Sequence, residues 1–357
     1  MGVIINHQAM GNYHEIVRKL TELPAHPNRT GVPASTMFFE TLEFDLRDGF
    51  PLLTTKSIPL KSFIAELCWF ITGSTSVHDL KKLGSNIWDE WAREDGGLGP
   101  IYGAQWRGNY ASSTTGLADV GVTTYEHAVR NLANISNEIG APNFDSVAKT
   151  EKKKDSAVPL LKRNNGNDQL VNIINNLVLD PRSRRHVISS WNPTYIPEYE
   201  GTTTTPSIDR MALPPCHMSM QFYVEPGTNV LHLRWDQRSA DVFLGLPFNI
   251  ASYALLLTLV AAHCGYTAGK LHCTLGDVHL YDNHREQAKE LLVRYHERND
   301  HSTPKFDADN WLVKNCLSLI IETRERFIPV FGESTVDSLS KLFTYSSEGA
   351  IKAPIAV

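Results

Sequence analysis

Cysteine is scarce in this chain, and no two cysteines form a CxxC pair: Cys68, Cys216, Cys264, Cys273 and Cys316 stand singly. An odd, scattered set argues against a disulfide frame and a zinc site, so no metal is expected, and it favours a reducing compartment. There is no basic surplus either. With 34 Lys and Arg against 39 Asp and Glu, the net charge is −5, which argues against a broad DNA-binding surface but leaves room for a pocket that takes one phosphate. The opening MGVIINHQAM lacks the basic start and apolar core of a signal peptide, and Gly2 is not followed by Ser or Thr at the myristoylation position. The longest apolar run, 250–262, is broken by Ser252, Tyr253 and Thr258 and falls short of the roughly 18 residues of a membrane span. A soluble, cytoplasmic protein with no membrane attachment is expected. Internal repeats are absent.

With 357 residues, 42% of them hydrophobic, the chain can bury a large core as one large domain or two ordinary ones. Helical spacing of Ile16, Leu20 and Leu23 predicts a helix over 8–22, followed by the polar bend HPNRTGVP. Alternation of Leu42, Phe44 and Leu46 with Glu43 and Asp45 predicts a half-buried strand over 37–46. Residues 61–72 form a strongly apolar helix with one acid, Glu66. From 108 to 166 the composition turns to Ser, Thr, Asn and Gly around the charged run KTEKKKD, which reads as an insertion. A helix then begins at Asp168 and ends at Asp180-Pro181. Strands are predicted at 185–191, 216–224 and 230–236, and helices at 248–264 and 282–298. Segments 194–210 and 299–345 read as further variable connections. The fold class is α+β, a single domain over 1–357 with these three insertions.

The stretch 214–253 carries most of the chemistry: PPCHMSMQFYV, a short break, then LHLRWDQRSADVFLGLPFNIASY. Cys216 is the candidate nucleophile. On a strand it points with Met218, Met220 and Phe222, whereas His217, Ser219, Gln221 and Tyr223 point the other way. That makes Cys216–His217 a poor protease-like dyad, and the local signature of papain-like hydrolases is missing as well. A buried, inert thiol is the plain alternative. An active thiolate needs a nearby cation, which Arg238 could supply. Arg29, Arg184, Arg185 and the Arg238-Ser239 pair suit a phosphate dianion, although each arginine alone reads equally as a solvated surface residue. Glu66, within FIAELCWF, needs a partner, a proton or bound water. The Asn249 amide could donate to and accept from a pyrimidine edge, or simply cap a helix start. His279 and Tyr281 share a face in extended chain and could bind a sugar hydroxyl, or lie in a surface turn.

These pieces, in this order, resemble the thymidylate synthase family. RTG at 29–31, DGFPLLTTK at 48–56, ELCWFITG at 66–73, NIWDEWA at 86–92 and LGPIYGAQWR at 98–107 carry the likeness through the first half. DPRSRRHVISSWNP at 180–193, the two segments above, GDVHLYDNH at 276–284 and the closing IKAPIAV complete it. The resemblance implies a mixed sheet packed with helices and a sheet-mediated homodimer whose sites are shared across the interface. It also implies reductive methylation of dUMP to dTMP, with 5,10-methylenetetrahydrofolate as donor of carbon and hydride and dihydrofolate as product. By resemblance Cys216 adds to C6 of dUMP. Arg29, Arg238 and Ser239 hold the phosphate, with Arg184 and Arg185 reaching in from the partner. Asn249 reads the uracil amide edge, and His279 and Tyr281 bind the 3′-hydroxyl. Glu66 organises water and assists proton transfers, and Tyr102 is tied to loss of the C5 proton. Asp241 takes the pterin beside Trp88 and Trp91, Gln237 and His217 have supporting roles, and the tail ending at Val357 closes over the site.

The chain also departs from the family pattern. Ser57 and Pro59 stand where basic and histidine residues are usual after Lys56, Asp236 stands where an aromatic is common, and TYSSEGA precedes the terminal IKAP. Two competing readings follow. One is a dUMP hydroxymethylase, in which water captures the intermediate that hydride would otherwise reduce. The other is a catalytically silent relative that binds a nucleotide or RNA. Asn249 argues for uracil over cytosine, and Trp88 with the near-complete tail argues for the methylating enzyme.

Overall fold

The computed structural model describes residues 7–108, 161, 168–197, 210–298, 303–323 and 326–355. Most of the expected insertions at 108–166 and 194–210, and Val357, lie outside these residues.

A five-stranded mixed sheet organises the chain, in the order β1-β5-β4-β3-β2. These strands are β1 (Ala34–Asp45), β2 (Val187–Ser189), β3 (His217–Val224), β4 (Val230–Asp241) and β5 (Thr267–Tyr281). All neighbours are antiparallel except β4 and β5, which run parallel. A parallel pair needs a crossover, and α6 (Gly245–Cys264) supplies it. The period-2 pattern of β1 holds: Leu42 and Phe44 are buried, Thr41 and Glu43 exposed. β4 runs five residues past the predicted strand. No strand is predicted over 267–278, yet β5 occupies it, with Leu271, Cys273 and Leu275 buried in alternation with Lys270, His272 and Thr274, the same period as in β1.

Helix α1 (His7–Glu22) buries Tyr13, Ile16, Val17 and Leu20. Leu23 falls beyond its end and is exposed. Helix α2 (Leu60–Thr72) starts after Pro59 and stops at Gly73, whose φ of 76° suits a residue without Cβ. Its residues from Phe63 to Thr72 are buried on every side. α3 (Val77–Lys82) and α4 (Tyr102–Arg107) are short. Gly103 lets α4 approach α2, since a Cβ there would meet the Phe70 carbonyl oxygen at 2.4 Å. α5 (Gln169–Leu179) is capped by Asp168, which accepts from the Val171 N–H at 3.1 Å. The same buried carboxylate takes the Arg107 Nε–H at 3.0 Å, which ties α4 to α5.

Two expectations need correction. By length and composition α6 is apolar enough to cross a bilayer, because the helix begins at Gly245 rather than at 248. Within the fold, however, 78% of that apolar stretch is buried, so it serves as a core helix. Segment 299–345, expected to be a variable connection, is largely regular where described. It holds β6 (Lys305–Phe306), α8 (Trp311–Glu322), α9 (Glu333–Ser340) and β7 (Phe343–Thr344), and comes after α7 (Arg285–Glu297). Val313, Cys316, Leu317 and Ile320 of α8 are buried in the core.

Candidate active site

Cys216 sits just ahead of β3, half-buried, and its backbone N–H donates to the Tyr102 hydroxyl at 2.8 Å. The next strand passes so that the Arg238 N–H donates to the Cys216 carbonyl at 2.8 Å. The Arg238 guanidinium donates to the Pro215 and Pro214 carbonyls at 2.9 and 2.8 Å, so it is fixed beside the thiol. Gly276 on β5 allows this packing, because a Cβ there would meet the Arg238 carbonyl oxygen at 2.8 Å. Burial pushes the Cys216 thiol up, while Arg238, the Tyr102 hydroxyl, Arg29 and the Ser239 hydroxyl each pull it down. Arg29 and Ser239 are thereby brought to the thiol together with Arg238. A phosphate dianion would be attracted by the same cations.

His217 does not serve the thiol. Its Nδ1 pairs with the Tyr253 hydroxyl at 2.9 Å, and its ring stacks on Tyr102 at 4.1 Å. Burial lowers its pKa to about 3, so it is neutral. Regular strand alternation would also set His217 apart from Cys216, Met220 and Phe222, but β3 is not regular at its start. An irregularity in the pairing between His217 and Ser219 resets the strand, and His217 is buried together with Met220 and Phe222.

Glu66 on α2 is 8% exposed and accepts from the Trp88 indole N–H at 2.7 Å. Burial raises its pKa to about 7 despite that bond. Trp88 in turn lies 5.8 Å from Tyr102 and 5.5 Å from Trp91, ring to ring. The Tyr102 hydroxyl is pushed far up, first by burial and then by the neighbouring thiol. This leaves a proton-rich corner in which a carboxyl can exchange protons near neutrality.

Asn249 lies in the first turns of α6 but does not cap the helix; its Oδ1 accepts from Gln237 Nε2 at 3.1 Å. Asp241 accepts the Phe243 and Leu244 N–H groups on Oδ1 at 2.9 and 3.3 Å. Its Oδ2 makes no hydrogen bond among the described residues. His279 and Tyr281 are close on β5, with rings 5.0 Å apart. His279 Nδ1 faces Asp277 at 3.1 Å. Burial, then Asp241, raises the Tyr281 hydroxyl, which also feels Arg29 and Cys216. Arg184 and Arg185 are not brought in: both are exposed in the turn ahead of β2.

Several residues to which the sequence assigns no role contribute here. Tyr253 holds His217, although it stands within the chemistry-rich stretch 214–253. Lys56 is buried, donates to the Phe243 carbonyl and packs 3.9 Å from the Phe243 ring centre; burial lowers its pKa to about 8. The carboxy-terminal segment is held in three places. The Tyr345 hydroxyl donates to the Leu53 carbonyl at 2.7 Å and accepts from the Ile58 N–H at 2.9 Å. Arg294 reaches the Glu348 and Gly349 carbonyls at 3.1 Å, and His284 Nε2 meets the Pro354 carbonyl at 2.6 Å. Long-range partners of this kind leave no periodic signal in a sequence. Among the described residues no cluster of three or more His, Cys, Asp or Glu could hold a metal ion.

Residues 11–357 match the family model described as thymidylate synthase. With the match spanning nearly the whole length, the chain belongs to the thymidylate synthase family.

Proposed function

We propose that this protein is a thymidylate synthase, a methyltransferase that converts dUMP to dTMP with 5,10-methylenetetrahydrofolate as co-substrate. The observation that carries the reading is the set around Cys216: a half-buried thiol bonded through its backbone to Tyr102, with Arg238, Arg29 and Ser239 beside it. Adding a thiolate to C6 of the pyrimidine makes C5 nucleophilic, which is covalent catalysis. The bound folate supplies the one-carbon unit and, in this reading, the hydride.

The chain's own groups would divide the remaining work. Arg238 favours the thiolate; Arg29, Arg238 and Ser239 bind the phosphate with Arg184 and Arg185 of the partner subunit. Asn249 meets the uracil edge, and His279 and Tyr281 meet the sugar hydroxyl. The Tyr102 hydroxyl is positioned for the C5 proton, and Glu66, titrating near neutrality, relays protons through water. Asp241, Trp88 and Trp91 hold the pterin. The tail held by Tyr345, Arg294 and His284 excludes water, with Val357 completing the closure. Exposed Val187 and Tyr223 on the sheet, and the exposed Phe38 and Phe39 of β1, support burial of the sheet in a homodimer. Arg184 and Arg185, exposed in one subunit, suit that arrangement. A cytoplasmic location accords with the five free thiols.

The test is incubation with dUMP and methylenetetrahydrofolate, following dihydrofolate absorbance and the mass of the nucleotide. dTMP with one dihydrofolate per turnover supports the synthase. Hydroxymethyl-dUMP with tetrahydrofolate would establish the water-capturing reaction in its place. Tight dUMP binding without either product would identify a silent relative.

A further inference from the structure

Trp235 is fully buried on β4, two residues before Gln237 and on the same face. Its ring lies parallel to that of Tyr253 at 4.7 Å and 6°. Its indole N–H, a group that can only donate, meets Gln237 Oε1 at 3.1 Å. At the other end of the same amide, Gln237 Nε2 meets the Ser239 carbonyl at 2.9 Å, a group that can only accept. Two one-way partners leave the Gln237 amide a single orientation. The second Nε2 hydrogen then points at Asn249 at 3.1 Å, and the Asn249 atom that receives it must be Oδ1. Amide flips are otherwise ambiguous, but this chain of bonds is anchored by groups that cannot flip.

We infer that Trp235 is a positioning residue for base choice: through Gln237 it holds Asn249 with the carbonyl turned to the protein and the NH2 presented to the pyrimidine. This rests on the reading of dUMP as substrate. A 4-oxo pyrimidine offers an acceptor at position 4 and an N–H at position 3, which Nδ2 and the remaining lone pair of Oδ1 match. A 4-amino pyrimidine offers the reverse pattern, and binding it would require Asn249 to turn over. Turning would set its NH2 against the NH2 of Gln237. Asn249 alone could serve either base, so discrimination lies in what prevents it from flipping.

The test compares dissociation constants for dUMP and dCMP in the wild type, Trp235→Phe and Gln237→Leu by calorimetry. Trp235→Phe keeps an aromatic ring against Tyr253 and removes the donor, with a loss of ring volume that by itself would weaken both nucleotides alike and leave their ratio unchanged. The preference for dUMP over dCMP should fall by about 3- to 10-fold, the worth of one net hydrogen bond. Gln237→Leu, which removes both anchors, should lower it further. If both variants weaken the two nucleotides equally, as a merely structural indole predicts, or leave the ratio unchanged, the inference is overturned and the functional reading stands. A wild type that binds no dUMP overturns the functional reading itself, and the inference with it.

Discussion

The Trp88 indole donates to Glu66 across 2.7 Å inside the protein, joining the residue that walls the site to the carboxyl that titrates there. Burial holds that carboxyl at about 7, above its ordinary 4.5. The folded state therefore keeps a proton that the unfolded state releases, and stability falls as pH rises from about 4.5 to about 7. Glu66→Gln should flatten that part of the stability–pH curve while abolishing turnover. Trp88→Phe removes the donor that favours the charged form, so the fall should extend to higher pH. Urea midpoints across this range would check both; an unchanged slope in Glu66→Gln would remove Glu66 as the group responsible.

Cys216 and Arg238 make a second pair. Cys216→Ala should abolish turnover yet leave dUMP binding measurable, because the proposed phosphate and base contacts are made by other side chains. Arg238→Gln withdraws the largest influence that lowers the thiol pKa. Alkylation of Cys216 by iodoacetamide should then shift to higher pH. The same alkylation profile in both proteins would show that Arg238 does not tune the thiol.

His217 should contribute no ionisation. With its pKa lowered to about 3, it stays neutral throughout the working range. The expected outcome for Tyr253→Phe is a stability loss of about 1 kcal/mol, from one buried hydrogen bond, with no new step in the pH–rate profile between pH 5 and about 9. A step near the ordinary histidine range, appearing with the variant, would count against a permanently neutral ring.

Tyr345 bridges the Leu53 carbonyl and the Ile58 N–H, so it fastens the carboxy-terminal segment to the entry of α2. Tyr345→Phe leaves both groups without that partner and should cost about 1–3 kcal/mol. The tail should become easier to cleave with carboxypeptidase, and KM for the folate should rise more than KM for dUMP. Equal digestion rates would separate this tyrosine from tail closure.

Arg107 and Asp168 form a buried pair whose side chains are 1% and 2% exposed. Replacing one partner leaves the other charge buried and uncompensated. Asp168→Asn should therefore destabilise the protein by about 3–5 kcal/mol, more than loss of a helix cap alone would. Thermal unfolding would show it; a loss near 1 kcal/mol would mean that only the cap matters.

Much of the candidate site is legible in the sequence because its residues cluster in motifs with a local logic. Cys216, Arg238, Ser239, Asp241 and Asn249 fall within one stretch, and Glu66 stands out as an acid in an apolar helix. Strand alternation identifies Leu42 and Phe44 as core, and Asp168 and Asp180-Pro181 mark the limits of α5. The misses are of two kinds. β5 and α8 carry periods that the sequence itself shows, Leu271, Cys273 and Leu275 at alternate positions and Val313, Cys316, Leu317 and Ile320 at helical spacing, so both elements are legible in it. Strand parity at His217 presumes a regular strand, and one irregularity in pairing reverses it.

By itself, then, the sequence determined the kinds of groups available and the family to which they belong: a thiol, arginines suited to a phosphate, an amide suited to a pyrimidine edge and an acid in apolar surroundings. Only the tertiary structure decided their states. Burial, which depends on packing from distant segments, raises Glu66 to about 7 and holds His217 neutral. Hydrogen bonds between residues far apart in the chain join Tyr102 to Cys216 and Tyr345 to the entry of α2. The direction in which Asn249 presents its amide is likewise set by bonds that exist only after β4 has paired with its neighbours and α6 has packed on the sheet.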